Sequence, residues 1–218
     1  MLGFNIMEIL LRLPVLCLVF TVHEFAHGYM AYKLGDETAK RDGRLSFNPL
    51  KHIDPIGMLC LLLFRFGWAK PVMVNPSNLR NPKIDMAYIS VAGPVSNILF
   101  AFLVGLIWVP VSTVVVSPLV AGLVNELILL NIVLAVFNML PIPPLDGSKV
   151  FTVFLSEDSY FRFQDTVGRY GFLILIVLIW TGITQQIIFP VVNALYVGMF
   201  EVLTAMYNAM GFLPVVLI

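Results

Sequence analysis

His23 and His27 stand four residues apart in the stretch Thr21-Val22-His23-Glu24-Phe25-Ala26-His27-Gly28, with Glu24 between them. A helix turns about 100° per residue, so positions i and i+4 share a face and both imidazoles can reach one cation. The spacing suits a hydrolytic zinc centre. Two imidazole nitrogens hold the metal, and a glutamate beside them takes a proton from water whose pKa zinc lowers to about 7. The stretch lies inside the apolar run from Leu13 to Tyr32. There an ionisable group at mid-helix costs on the order of 3 kcal/mol. Three such groups in five residues demand a compensating partner, and a metal ion is one.

A second stretch carries chemistry of the same kind. In Asn138-Met139-Leu140-Pro141-Ile142-Pro143-Pro144-Leu145-Asp146-Gly147, three prolines within four positions forbid a continuing helix. The chain must unwind there, with Asp146 in a rigid turn and Gly147 expected at positive φ to let the next helix begin. Asp146 can then add a carboxylate oxygen to a zinc held by two imidazoles, leaving the fourth position open. Alternatively it caps the helix that starts at Gly147. His52, in Pro49-Leu50-Lys51-His52-Ile53-Asp54-Pro55, is the only other histidine. It reads as a gate or transient fourth ligand at the metal mouth, or as an interfacial histidine with no metal contact.

The elements that must position these groups are membrane elements. Of the 218 residues 59% are hydrophobic and only 12% charged, with zero net charge, which describes a polytopic membrane protein and indicates no nucleic-acid surface. Cys17 and Cys60 lie in separate apolar runs and suggest neither a disulfide framework nor a cysteine metal site. The first apolar run carries the histidines itself and follows no basic n-region, so it is expected to be a retained span rather than a signal peptide. The expected fold is an all-α polytopic membrane protein of about five transmembrane helices, with four to six allowed. The spans are read at 13–32, 86–109, 119–140, 171–189 and 191–210, with Pro190 breaking the last two apart. One integral membrane domain, 1–218, is expected, with a catalytic core at about 13–153 and C-terminal helices over 167–210.

Nine of the thirteen Lys and Arg residues fall between Lys33 and Lys83, which assigns that segment to the cytoplasm. Alternation then puts Lys149, Arg162 and Arg169 on the same side, so the two chemical stretches converge at one membrane face. Within the basic segment, Arg44-Leu45-Ser46-Phe47-Asn48-Pro49 and Lys70-Pro71-Val72-Met73-Val74-Asn75-Pro76 each read as a short extended run closed by a turn. Between them the apolar 56–64 is too short to span. The expectation is a small re-entrant or interfacial β-hairpin, whose free edge an unwound substrate could join.

Taken together these residues resemble the site-2 protease family, zinc metalloproteases that cut within the membrane, and in particular its small bacterial members. The resemblance is carried by His23-Glu24-Phe25-Ala26-His27, by Ala92-Gly93-Pro94-Val95-Ser96-Asn97, and by Asn138-Met139-Leu140-Pro141 with Leu145-Asp146-Gly147, and it covers roughly 13–153. It implies that His23, His27 and Asp146 bind one zinc, that Glu24 is catalytic, and that Asn97 and Asn138 position substrate backbone or an oxyanion. It further implies regulated intramembrane proteolysis, with a transmembrane protein or peptide as substrate, at a bacterial cell membrane and near its cytoplasmic side. No inserted or appended regulatory domain of the kind some relatives carry is expected. The rival reading is a non-proteolytic membrane metal-binding or transport module using the same three ligands.

Overall fold

In a computed structural model, residues 6–64, 67–114 and 117–211 are described. The path is helical almost throughout. Helix α1 (Ile6–Lys33) leads through the single turn α2 (Thr38–Arg41) and the short α3 (Pro55–Phe64) to α4 (Pro82–Val111). After α5 (Pro118–Asn138) come α6 (Asp146–Thr152), α7 (Glu157–Phe163), α8 (Arg169–Trp180) and α9 (Ile183–Ala209).

The long helices begin where local chemistry says they should. Pro82 and Pro118 occupy first-turn positions that need no amide hydrogen, and the side chains of Asn81 and Ser117 accept from the amides of Ile84 and Val120. Asp85 in turn accepts the amide of Asn81 at 2.9 Å, closing the start of α4 reciprocally. Among the described residues, four helices are long and apolar enough to cross a membrane: α1 from Leu11, α4, α5 and α9. Helix α4 is central, packing against α1, α5, α6 and α9. Its buried Ala101 and Val109 meet Ile128 and Ile132 of α5 and Val192 and Leu203 of α9. Between lipid-facing helices such contacts gain from close packing rather than from release of water.

Two expectations are corrected. The expected break at Pro190 lies instead at Gly182, where φ of +76° ends the α8 segment and α9 starts afresh. Pro190 sits inside α9, a position tolerated within membrane helices because neighbouring groups re-satisfy the freed carbonyl. The segments read at 171–189 and 191–210 therefore become the 12-residue α8 and the 27-residue α9. Twelve residues reach about 18 Å, well short of a hydrocarbon core of about 30 Å.

The re-entrant β-hairpin is the second correction. Among the described residues there is no strand, only an isolated antiparallel bridge between Ile53 and Ala69. Prolines at 49, 71 and 76 remove ladder donors from the two extended runs. Asn48 and Asn75 turn their side chains onto the amides of Leu50 and Ser77, starting short 3-10 turns where pairing would have to continue. The apolar 56–64 is the helix α3, its first turn capped by Asp54 through the amides of Ile56 and Gly57 at 2.9 and 2.8 Å. The Arg44 side chain, not a ladder, joins the two runs, donating to the carbonyls of Lys51, Lys70 and Pro71.

Candidate active site

His23, Glu24 and His27 lie in the C-terminal half of α1, and Asp146 opens α6 after the proline turn. Their reactive atoms meet. His23 Nε2 and His27 Nε2 are 2.9 Å apart, and Asp146 Oδ2 lies 3.2 and 3.1 Å from them. All three residues are buried. The imidazole rings stand edge to face at 89° with centroids 4.5 Å apart, and both Nε2 atoms lie beside the same Asp146 Oδ2.

The far side of each ring decides what the cluster can hold. His27 Nδ1 is 2.7 Å from the Ile89 carbonyl, which can only accept, so Nδ1 carries the proton. His23 Nδ1 lies 2.6 Å from Asn97 Oδ1. That amide is oriented by its own donors, since Asn97 Nδ2 reaches the Val19 carbonyl at 3.2 Å and Asn131 Oδ1 at 2.6 Å. His23 must therefore also be protonated at Nδ1 in its neutral form. Both Nε2 atoms are then lone pairs facing each other and a carboxylate, an arrangement that repels itself until a cation enters. Tetrahedral zinc with bonds of about 2.0–2.2 Å separates its ligand atoms by about 3.3 Å. The observed triangle is of that size, so these residues fit a zinc ion, and each histidine has the outer partner that a metal-binding imidazole uses.

Close backbone approach makes the cluster possible. A Cβ on Gly93 of α4 would lie 2.5 Å from His27 Cε1 and 2.7 Å from His23 Cε1, so only glycine lets α4 pass behind the two rings. Gly147 does not take the positive φ expected of it. It is required because a Cβ there would come within 2.2 Å of the Met139 carbonyl oxygen, on the turn that folds Asp146 back towards α1. Asp146 does not cap its helix, whose N-cap is Leu145. Its second oxygen faces Lys149 Nζ at 3.7 Å.

Glu24 is buried beside the histidines, and its Oε2 accepts the backbone amide of Val72 at 2.8 Å. Before the triangle opens a cavity of about 430 Å³ whose lining includes Trp68, Val72, Phe137, Asn138, Leu145 and Lys149. Asn138 thus borders the reaction space, one amide hydrogen going to the Leu134 carbonyl at 3.0 Å. Asn97 does not. It is fully buried with both amide hydrogens committed, which leaves no donor for an oxyanion and makes it the anchor of His23. His52 is not brought to the cluster either. Its Nε2 is 2.8 Å from the Ser46 carbonyl, and it lines a separate small cavity with Cys17 and Trp68. Ile89, Asn131 and the Val72 amide are partners that sequence reasoning missed. Two of them act through the backbone, which no side-chain pattern betrays.

Residues 105–178 match Peptidase family M50, a stretch that includes Asp146 but not the two histidines. The chain is 39% identical to the Bacillus subtilis (strain 168) protein named "Putative zinc metalloprotease YwhC", over 80% of this chain and 82% of that one. It is 30% identical to "Putative zinc metalloprotease Rip2" of Mycolicibacterium smegmatis, over 87% of this chain and 73% of the relative. No solved structure matches.

Proposed function

The chain belongs to peptidase family M50, and on that premise we propose that it is an intramembrane zinc metalloprotease that cuts a peptide bond in or near a transmembrane segment of a membrane-protein substrate. The observation that carries this reading is the triangle of His23 Nε2, His27 Nε2 and Asp146 Oδ2 with Glu24 alongside, opening on a cavity at the end of a bundle of membrane-length helices. One zinc per chain would be held by those three residues. When bound, it supplies a Lewis acid that polarises the scissile carbonyl and makes water acidic enough to deprotonate near neutral pH. Glu24 takes the proton from the attacking water and returns it to the leaving nitrogen. Asn97 and the Ile89 carbonyl fix the two imidazole tautomers, and Asn138 offers its remaining amide hydrogen to substrate or to the developing oxyanion.

The basic segment between α1 and α4 supports a cytoplasmic site, and bacterial relatives support a bacterial cell membrane. Burial of the site among helices that face lipid supports a substrate reaching it from the bilayer, as regulated intramembrane proteolysis requires. The test is cleavage of a purified single-span protein by the chain reconstituted in lipid vesicles, with the cut mapped by mass spectrometry. Wild type should cut in or beside the span, and Glu24→Gln should not cut. Zinc-loaded wild-type protein that moves zinc across the vesicle wall and cuts nothing would establish the transport reading instead.

A further inference from the structure

Asp36 and Arg44 are charged, buried and outside the metal cluster, at 0% and 8% exposure. Neutral groups, not counter-ions, satisfy them, an expensive arrangement unless the geometry it fixes is used. Both grip the same segment. Arg44 donates to the carbonyls of Lys70 and Pro71 at one end, and to that of Lys51. At the other end Asp36 Oδ2 accepts the Asn75 amide at 2.7 Å, while Oδ1 accepts Asn78 Nδ2 at 2.7 Å and the Thr38 hydroxyl at 2.6 Å. Between the two grips, one residue beyond Pro71, the Val72 amide donates to Glu24 Oε2 at 2.8 Å. The segment from 70 to 75 belongs to no helix or strand, so the grips at its ends set where that amide lies. Its inner side rests on α1 at Gly28, where an added Cβ would touch Val72 Cγ1 at 3.5 Å and Leu45 at 3.0 Å.

We propose that Asp36 and Arg44 are positioning residues for the proton-carrying step, acting through the strap 70–75 whose Val72 amide orients the Glu24 carboxylate. The proposal rests on Glu24 being the proton carrier. A glutamate has three rotatable bonds, and one backbone donor on Oε2 selects a single orientation, leaving Oε1 for the reacting water. Arg44 suits its end because a planar fork of donors spans several carbonyls at once, which a lysine cannot do. Asp36 suits the other because its two oxygens separate the tasks, one holding its own turn through Thr38 and the other holding the strap. A misplacement of about 1 Å in such a group can cost about a hundredfold in rate.

The experiment compares wild type, Arg44→Lys, Asp36→Asn, Glu24→Gln and Glu24→Ala, each reconstituted as the full chain. For each it records bound zinc, kcat and KM on a single-span substrate, and site-resolved hydrogen exchange at the Val72 amide. Arg44→Lys and Asp36→Asn should keep zinc and a KM within twofold of wild type, lose at least tenfold in kcat, and exchange at Val72 at least tenfold faster. In Glu24→Ala the Val72 amide should exchange faster by a similar factor, a readout that needs no activity and no metal. Wild-type kcat in both strap variants, with Glu24→Gln inactive, overturns the positioning proposal and leaves the function standing. Wild-type turnover in Glu24→Gln overturns the function itself. If a strap variant loses zinc, Glu24→Ala decides, and unchanged protection of Val72 there overturns the proposal.

Discussion

Asn97 is a deeply buried amide whose oxygen faces the His23 ring while its hydrogens go to the Val19 carbonyl and Asn131 Oδ1, and His23 depends on it. Outer partners of metal-binding histidines are worth about 10–100-fold in metal affinity. Asn97→Ala should weaken zinc binding by about that factor in competition with a chelator, with helix content unchanged by circular dichroism. Gly93→Ala should do worse, because the added methyl meets both imidazoles; the expected outcome is loss of most bound zinc, read by elemental analysis. Asp36 makes a prediction in pH. Burial opposes its ionisation, but hydrogen bonds from Thr38, Asn78 and Asn75 outweigh burial and hold its carboxyl below the ordinary range. A group whose folded pKa is depressed contributes stability above its unfolded value, near 4, and that contribution fades as pH falls towards the folded value. Thermal unfolding should therefore show wild type ahead of Asp36→Asn at pH 7, with the gap closing as pH is lowered below about 4. The two histidines were legible in the sequence through their i, i+4 spacing, whereas Asp146 read there as a ligand or a helix cap, and it is the fold that brings its Oδ2 to both imidazoles. The roles of Asn97 and Val72 were not legible, since which partner an amide meets is decided by how α4 and the strap pack on α1.

Helices longer than a bilayer announced themselves by hydropathy, and α1, α4 and α5 lie close to where the apolar runs put them. The C-terminal third was harder to read. An apolar run carries no mark of where it folds back, and Pro190 drew the expected break eight residues beyond the glycine that makes it. The hairpin failed for a related reason: extended sequence is necessary for a strand, but pairing needs free donors on both sides, and proline and asparagine consume them here. Four crossings and five differ in where they put the turn between α8 and α9. In a background lacking Cys17 and Cys60, Leu50→Cys, Ser156→Cys and Thr181→Cys should all react with a membrane-impermeant thiol reagent from the same side, and Thr113→Cys from the other. Thr181→Cys reacting from the side of Thr113→Cys would make α8 a crossing element and restore the fifth span.

Across the whole molecule, the long helices bring a residue from the first span and one more than a hundred positions later to a single point, with α4 as the wall behind both. A ligand that binds only the folded chain stabilises it by RT ln(1 + c/Kd), where c is its free concentration, so the effect grows with free ligand concentration relative to Kd. Chelation should accordingly lower the unfolding temperature of wild type by several degrees and leave that of Asp146→Ala unmoved, because the latter has no zinc to lose. The most direct measurement is zinc content beside turnover, in purified wild type, His23→Ala, His27→Ala, Asp146→Ala and Glu24→Gln. Wild type and Glu24→Gln should each carry about one zinc per chain, and the three ligand variants little or none. Turnover should survive only in wild type, Glu24→Gln falling by about a hundredfold or more because it keeps the metal and loses the proton carrier. Full zinc in Asp146→Ala, or wild-type turnover in Glu24→Gln, would contradict the account.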